Sequence, residues 1–241
     1  DYIDKYYTPF IPAAKRMNAK IKRDIDPVNN DGITLIPQAM SIVADEVIDL
    51  HRQLVPYGYD EINVNLGCPS GTVVSKKRGS GILAYPDMLD SFLDELYTKA
   101  DFPVSIKTRV GFNDDELWPK LIEIYSKYPI SELTVHPRVQ KDFYKNTPRM
   151  DDFALAMQKI NPDKTILCYN GDITDTNSFN ALTDRFPDID EIMIGRGLFA
   201  NPALIAELKG ISMDKAELRE RLKNWHDEIL SGYLSIFSGE K

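Results

Sequence analysis

Apolar and polar positions along this chain switch repeatedly between a period of two and a period near 3.6. Period-two runs over residues 33–38, 61–66, 104–110, 132–136, 165–170 and 191–194, with a weaker one over 3–8, predict seven strands. Helical runs fall between them, over 39–54, 88–99, 115–127, 151–160 and 176–185. In the clearest of these Leu89, Phe92, Leu93 and Leu96 share one face and Asp87 precedes it as an N-cap. Strand, loop and helix in that order imply βα units and a parallel sheet. Seven such strands predict an α/β fold, a TIM-type (β/α)8 barrel with its first strand apparently missing, over residues 1–210. From Met213 to about Leu230 the residues Leu218, Leu222, Trp225 and Ile229 recur on one helical face. That is more than a barrel needs after its last strand, so 211–241 reads as the truncated start of a C-terminal helical domain.

Parity along the strands separates two kinds of face. Val64 and Leu66 oppose Glu61, Asn63 and Asn65; Val104, Ile106 and Thr108 oppose Ser105, Lys107 and Arg109; Leu133 and Val135 oppose Thr134, His136 and Arg138. The apolar parity suits packing against outer helices, which turns the polar parity inward. Barrel interiors ordinarily prefer Val, Ile and Leu there. Buried amides and cations without partners cost roughly 2–7 kcal/mol or more. Either internal ion pairs or a polar ligand at the mouth must satisfy them.

Composition narrows the setting. The 241 residues carry a formal net charge of −8, which excludes a protein whose whole surface binds nucleic acid and confines any such partner to a local basic patch. No apolar run is long enough to span a bilayer, and the N-terminus has no secretory pattern. Cys68 and Cys168 lack metal-site spacing and are too few for a disulfide framework, so no metal and a cytoplasmic setting are expected. Oligomeric state is not legible.

Two stretches suggest chemistry. The last two strands end in Asn170-Gly171-Asp172 and Gly195-Arg196-Gly197, where barrels of this kind commonly bind phosphate; glycines admit backbone N–H groups to the oxygens and Arg196 adds a charged fork. Cys168 sits in an apolar run and reads as a core residue. Cys68 follows a strand end between Gly67 and Pro69, which places it at the rim. Lys76, Lys77 and Arg78 follow it in a loop closed by Gly79 and Gly81, either a solvated basic loop or a lid over a site. A thiol there suits a nucleophile or a general acid, and no obvious base neighbours it.

Taken in order, TPFI at 8–11, Gln38, Asn65 to Pro69, Lys107 with Arg109, His136 with Arg138, Asn170-Gly171-Asp172, and Gly195-Arg196-Gly197 with Asn201-Pro202 carry a resemblance. The chain resembles the tRNA-dihydrouridine synthases, FMN-dependent enzymes that reduce uridines in tRNA with NADPH. The resemblance implies an FMN-binding barrel and a C-terminal helical domain that helps to hold tRNA. It implies that Gln38, Lys107, His136, Asn170, Gly171, Asp172, Gly195 and Arg196 hold the cofactor, with Lys107 near N1 of the reduced ring. Asn65, Arg109 and Arg138 would meet the uracil and its surroundings, and Lys76, Lys77 and Arg78 would line a cationic rim. Cys68 would protonate uracil C5 after hydride reaches C6 from flavin N5. Three departures accompany it. The family's usual glycine-alanine is here Gly79-Ser80-Gly81, its first strand is expected before Asp1, and most of its helical domain is expected after Lys241. Two other readings are an FMN-barrel oxidoreductase acting on a small molecule and a non-catalytic RNA-binding barrel.

Overall fold

The computed structural model describes residues 3–13, 16–211 and 214–237, with side chains to 234. Within them the chain forms two compact units, one of residues 3–172 and 183–194, the other of 173–182 and 195 onward.

The first unit alternates strand and helix. Its strands are β1 (Tyr6–Tyr7), β2 (Ile11–Pro12), β3 (Leu35–Ile36), β4 (Gln38–Met40), β5 (Ile62–Leu66), β6 (Val104–Gly111), β7 (Glu132–Val139), β8 (Ile166–Tyr169) and β9 (Glu191–Ile192). Its helices are α1 (Ala19–Ile25), α2 (Ala44–Leu54), α3 (Gly71–Val74), α4 (Pro86–Lys99), α5 (Trp118–Tyr125) and α6 (Met150–Lys159), while α7 (Thr176–Arg185) starts in the second unit. Seven strands pair in the order β2-β4-β5-β6-β7-β8-β9, every pair parallel, and β1 pairs with β3 in a separate parallel ribbon. Within the seven-stranded sheet each strand lies beside the next of that sheet in chain order, with a helix between them, the order of an α/β barrel. Among the described residues no pairing joins β9 to β2, so the sheet is barrel-like and open.

The expected strands and helices are largely present, with instructive shifts. The run at 33–38 is divided by Pro37, which cannot donate to a ladder; its carbonyl instead accepts the Asn63 N–H at 2.9 Å. Gln38 therefore opens β4 rather than closing a strand, and the helix expected from 39 begins at Ala44. The weak run at 3–8 contributes Tyr6–Tyr7 to the small ribbon, while Ile11–Pro12 takes the edge of the main sheet, where a proline is tolerated. Helix α4 begins at Pro86, whose missing N–H would have no partner in a first turn, with Tyr85 at the cap position. Asp87 is thus not a cap; it lies in the first turn and pairs with Lys120 at 2.7 Å on the surface.

Val64, Leu66, Ile106, Leu133 and Val135 are fully buried, as are Leu50 and Leu54 of α2, Leu89, Leu93 and Leu96 of α4, and Trp118 and Leu121 of α5. Each such side chain contributes about 1.5–3 kcal/mol by leaving water. This is the apolar parity that the alternation placed against the helices.

At the N-terminal ends of the strands the interior is closed by charge. Glu132, 2% exposed, accepts from Lys5 Nζ at 2.6 Å, from the Tyr7 hydroxyl at 2.9 Å and from Thr134 Oγ1 at 2.7 Å. Lys5 also reaches Glu191 at 3.1 Å. Burial alone would lower the Lys5 pKa, but the bonds to Glu132 and then Glu191 raise it well above its usual value. Burial likewise opposes the Glu132 carboxylate, yet Lys5 and Thr134 hold its pKa below the ordinary range.

The second unit contains α8 (Arg196–Ala200), α9 (Leu204–Leu208) and α10 (Lys215–Phe237). Gly197 lies against the Ile173 carbonyl so closely that a Cβ would sit 2.1 Å from that oxygen. The expected helix of the tail is α10; Met213, where it was expected to start, lies outside the described residues. Leu218 and Leu222 are half-buried, and Trp225 and Ile229 are exposed.

Candidate active site

Strand register brings the inward parity into rows. Gln38 is level with Asn63 and Asn63 with Ser105; one row on, Asn65, Lys107, Thr134 and Cys168 follow across β5 to β8; beyond them Arg109 is level with His136. The first row is knitted by amides. Gln38 Nε2 donates to Asn63 Oδ1 at 2.8 Å, Asn63 Nδ2 to Ser105 Oγ at 3.1 Å, and Asn65 Nδ2 to Gln38 Oε1 at 2.6 Å. Gln38 and Asn65 each retain one amide hydrogen in this pattern.

Lys107 stands above that row and is half-buried. Burial, and then the Arg109 guanidinium, push its pKa down to about 8. Arg109 is the charged group beside it and the two cysteine thiols are its other titratable neighbours; among the described residues no carboxylate accompanies them. A desolvated ammonium level with Asn65, with no counter-charge among the described residues, suits an anionic partner. The residues present therefore fit a cofactor that carries or develops negative charge, as a flavin does.

Arg138, 1% exposed, forms a two-pronged pair with Asp172: Nη1 donates to Oδ1 at 3.0 Å and Nη2 to Oδ2. Its Nε donates to the Asn146 carbonyl at 2.5 Å. Nη1 also lies 3.1 Å from His136 Nε2. A guanidinium only donates, so that ring nitrogen is the acceptor and the neutral imidazole carries its proton on Nδ1. The His136 ring stacks with Tyr144 at 6.2 Å.

Cys68 is half-buried at the end of β5, and the backbone around it is fully engaged. Asn65 Oδ1 accepts from Gly67 N at 3.1 Å and Cys68 N at 2.9 Å. Arg109 Nε donates to the Gly67 carbonyl at 2.9 Å. Ser80 donates twice to the Cys68 carbonyl, from its N–H at 3.1 Å and its hydroxyl at 2.8 Å. Gln140 Nε2 donates to the Pro69 carbonyl at 2.9 Å. Gly79 makes this approach possible: its φ is +54°, and a Cβ there would lie 2.8 Å from the Cys68 oxygen. Arg109 continues outward to the carbonyls of Val139 at 2.9 Å and Phe143 at 2.8 Å.

The loop cations differ from one another. Lys76 is exposed, Lys77 lies 4.4 Å from the Tyr85 ring centroid, and Arg78 pairs with Glu46 of α2 at 3.1 Å. Of the residues expected to hold phosphate, Asn170 donates to the Met193 carbonyl at 2.9 Å and ties the turn after β8 to β9. A Cβ on Gly171 would fall 2.0 Å from the Tyr169 hydroxyl, so a side chain there would require that ring to shift. Gly195 and Arg196 belong to the second unit, where Gly195 precedes α8 and both are exposed.

Gln38, Asn65, Lys107, Arg109 and His136 thus occupy successive rows of one sheet, with Cys68 just past the end of β5 and Arg138 bonded to His136. Ser80 and Gln140 were not singled out by sequence. A small residue between two glycines is a weak signal for Ser80, and no local signal marks Gln140.

A parallel, barrel-like α/β sheet with inward amides and a lysine along its strands, and a thiol just past the C-terminal end of β5, belongs to the class of proteins that use that end of the strands for binding and chemistry. Comparison with known proteins identifies the family. The model described as dihydrouridine synthase matches residues 3–230, and the chain belongs to that oxidoreductase family. A protein of Staphylococcus aureus (strain Mu50 / ATCC 700699) named probable tRNA-dihydrouridine synthase is 34% identical over 190 residues, 77% of this chain and 54% of its own. The tRNA-dihydrouridine synthase B of Pasteurella multocida (strain Pm70) is 29% identical over 168 residues, covering 69% of this chain and 49% of its own. The chain spans about half the length of the curated relatives it matches. No helix of the described residues is long and apolar enough to cross a membrane.

Proposed function

We propose that this chain carries the catalytic part of an enzyme that reduces uridines in tRNA to 5,6-dihydrouridine. The observation that carries the reading is a half-buried thiol fixed at the strand mouth on the same face as a lysine without a counter-charge. The sheet is read as part of a TIM-type barrel, residues 1–210 as the FMN-binding domain and 211–241 as the start of a helical tRNA-binding domain. This mouth would hold FMN, which, once reduced by NADPH, would supply the hydride for uracil C6.

Lys107 offers its ammonium to the negative charge of the cofactor, and Gln38 its remaining amide hydrogen. His136, held in one tautomer by Arg138, presents a ring of fixed orientation. Asn170, Gly171 and Asp172 are proposed for the phosphate end, as are Gly195 and Arg196 by family resemblance. Cys68 as neutral thiol donates its proton to uracil C5, and Asn65, Arg109 and Arg138 orient or support the pocket that receives the base. A uridine in folded RNA must turn outward to reach this mouth, which gives Lys76, Lys77 and Arg78 a rim role against phosphates. Two free cysteines agree with a reducing, cytoplasmic setting.

Replacing Cys68 by Ala tests the reading. Flavin should remain bound and reducible by NADPH, while dihydrouridine formation in unmodified tRNA falls by about 10²–10⁴-fold, the range for loss of a general acid. Undiminished product would overturn it, as would turnover of free pyrimidines with none of tRNA.

A further inference from the structure

From Gly67 through Pro69 every backbone donor and acceptor is bonded to a group outside the three residues. Asn65 takes both N–H groups, Arg109 holds the first carbonyl, Ser80 the second by two bonds, and Gln140 the third. Pro69 has no N–H to satisfy. Loops ordinarily leave many such groups to water. The four groups also come from different places in the sequence: the end of β5, the 3-10 turn Gly79–Ala84, β6, and the loop after β7. Ser80 is fully buried and Arg109 is 2% exposed, so two of these bonds form in a setting where competition from water is weak.

We propose that Ser80 and Gln140, with Arg109, are positioning residues that hold the Cys68 thiol at a fixed place at the mouth. This rests on the reading of Cys68 as the proton donor. A donor must stand within hydrogen-bond reach of the carbon it protonates, and a displacement near 1 Å can cost about 10²-fold in rate. Ser80 acts through the Cys68 carbonyl, one residue's backbone from the thiol. Gln140 joins the same loop to the β7 exit, where Arg109 also holds Val139 and Phe143. The cysteine loop and the loop after β7 are thereby tied together, so the thiol keeps its place relative to His136 and Arg138. Ser80 stands where the family resemblance leads one to expect alanine, which would supply the N–H bond and not the hydroxyl bond.

The test compares Ser80→Ala and Gln140→Ala with the parent in the intact protein. Two readouts are combined. The first is the kcat and KM for unmodified tRNA, with flavin reduction by NADPH measured separately. The second is the rate of iodoacetamide alkylation at Cys68, followed by mass spectrometry with buried Cys168 as the unreactive reference. The expected result is a kcat lower by about tenfold for Ser80→Ala and about threefold for Gln140→Ala, with KM and flavin reduction unchanged. Cys68 alkylation should be at least about threefold faster in both variants, because the released loop exposes the thiol. Parent kcat and alkylation rates in both variants would overturn the proposal, and so would a lower kcat with an unaltered alkylation rate. If Ser80→Ala does not fold, Gln140→Ala, at a half-buried position, decides alone. Cys68→Ser separates the two proposals. Full activity in that variant sinks the proton-donor reading and with it the catalytic role of the positioning residues, whereas its inactivity beside unaffected Ser80→Ala and Gln140→Ala sinks the positioning role only.

Discussion

Two lysines in the first unit show opposite electrostatics on one sheet. At the N-terminal ends of the strands Lys5 meets Glu132 at 2.6 Å and Glu191 at 3.1 Å, and these partners raise its pKa. Farther along the strands, level with Thr134, Lys107 has a second cation for a neighbour and, among the described residues, no carboxylate, and its pKa falls to about 8. Both are desolvated lysines of one compact unit, so residue type and burial do not distinguish them. What differs is whether the fold supplies the counter-charge. Where it does, the lysine closes the interior; where it does not, the protein carries an energetic cost that a ligand can relieve.

The largest effect should come from breaking the paired end. Glu132→Leu leaves Lys5 paired with the part-exposed Glu191 and near Glu61, and about 3 kcal/mol of stability should be lost in chemical denaturation at pH 7. The native pKa of Glu132 is depressed, so its contribution is present above the unfolded value near 4.3 and is lost as pH falls below that. A loss under about 1 kcal/mol would show that the pair does not close that end.

Lys107→Met should act in the opposite direction on the flavin-free protein, a gain of about 2 kcal/mol at pH 7 from removing a desolvated charge. The sign follows from the depressed pKa: the folded protein is penalised while the lysine is charged, and the penalty fades as pH rises from about 8 toward the unfolded value near 10.4. The variant's advantage should therefore vanish near pH 10, while its flavin affinity is lower throughout. Equal flavin affinity in variant and parent would remove Lys107 from the site.

A smaller effect should arise where a carboxyl lacks enough cation. Asp152 has a pKa raised to about 7 by burial and by Asp115, and its buried Oδ2 accepts no hydrogen bond among the described residues. A raised carboxyl pKa costs stability that is absent below about pH 4, grows between about 4 and 7, and is complete above. Asp152→Asn should thus gain on the order of 1 kcal/mol at pH 8, after allowance for partial exposure, and nothing at pH 4. A pH-independent difference between the two proteins would refute this assignment.

Much of the site was legible because strand parity needs only alternation. Asn63, Asn65, Lys107, Arg109, His136 and Arg138 share the inward face as their positions imply, and Cys68 lies at a strand end as its setting between Gly67 and Pro69 implies. Arg109 could be read as an inward cation, but its bonds to Gly67, Val139 and Phe143 could not, since three carbonyls up to 42 residues away meet only in the folded sheet. Arg78 read as one cation of a basic loop or rim, and its pairing with Glu46, 32 residues earlier, was not legible. The split at Pro37 was misjudged for a local reason, because period-two hydrophobicity continued through a residue that cannot donate a ladder hydrogen bond.

By itself the sequence determined the alternation of strand and helix, the inward parity of the polar residues and the ordered motifs that mark the family, because these depend on neighbours a few positions apart. Tertiary structure alone decided which lysine has a counter-charge and which side chains hold the Cys68 loop. Ion pairs and backbone hydrogen bonds form between groups within about 3 Å of one another, and only the folded register brings those groups so close.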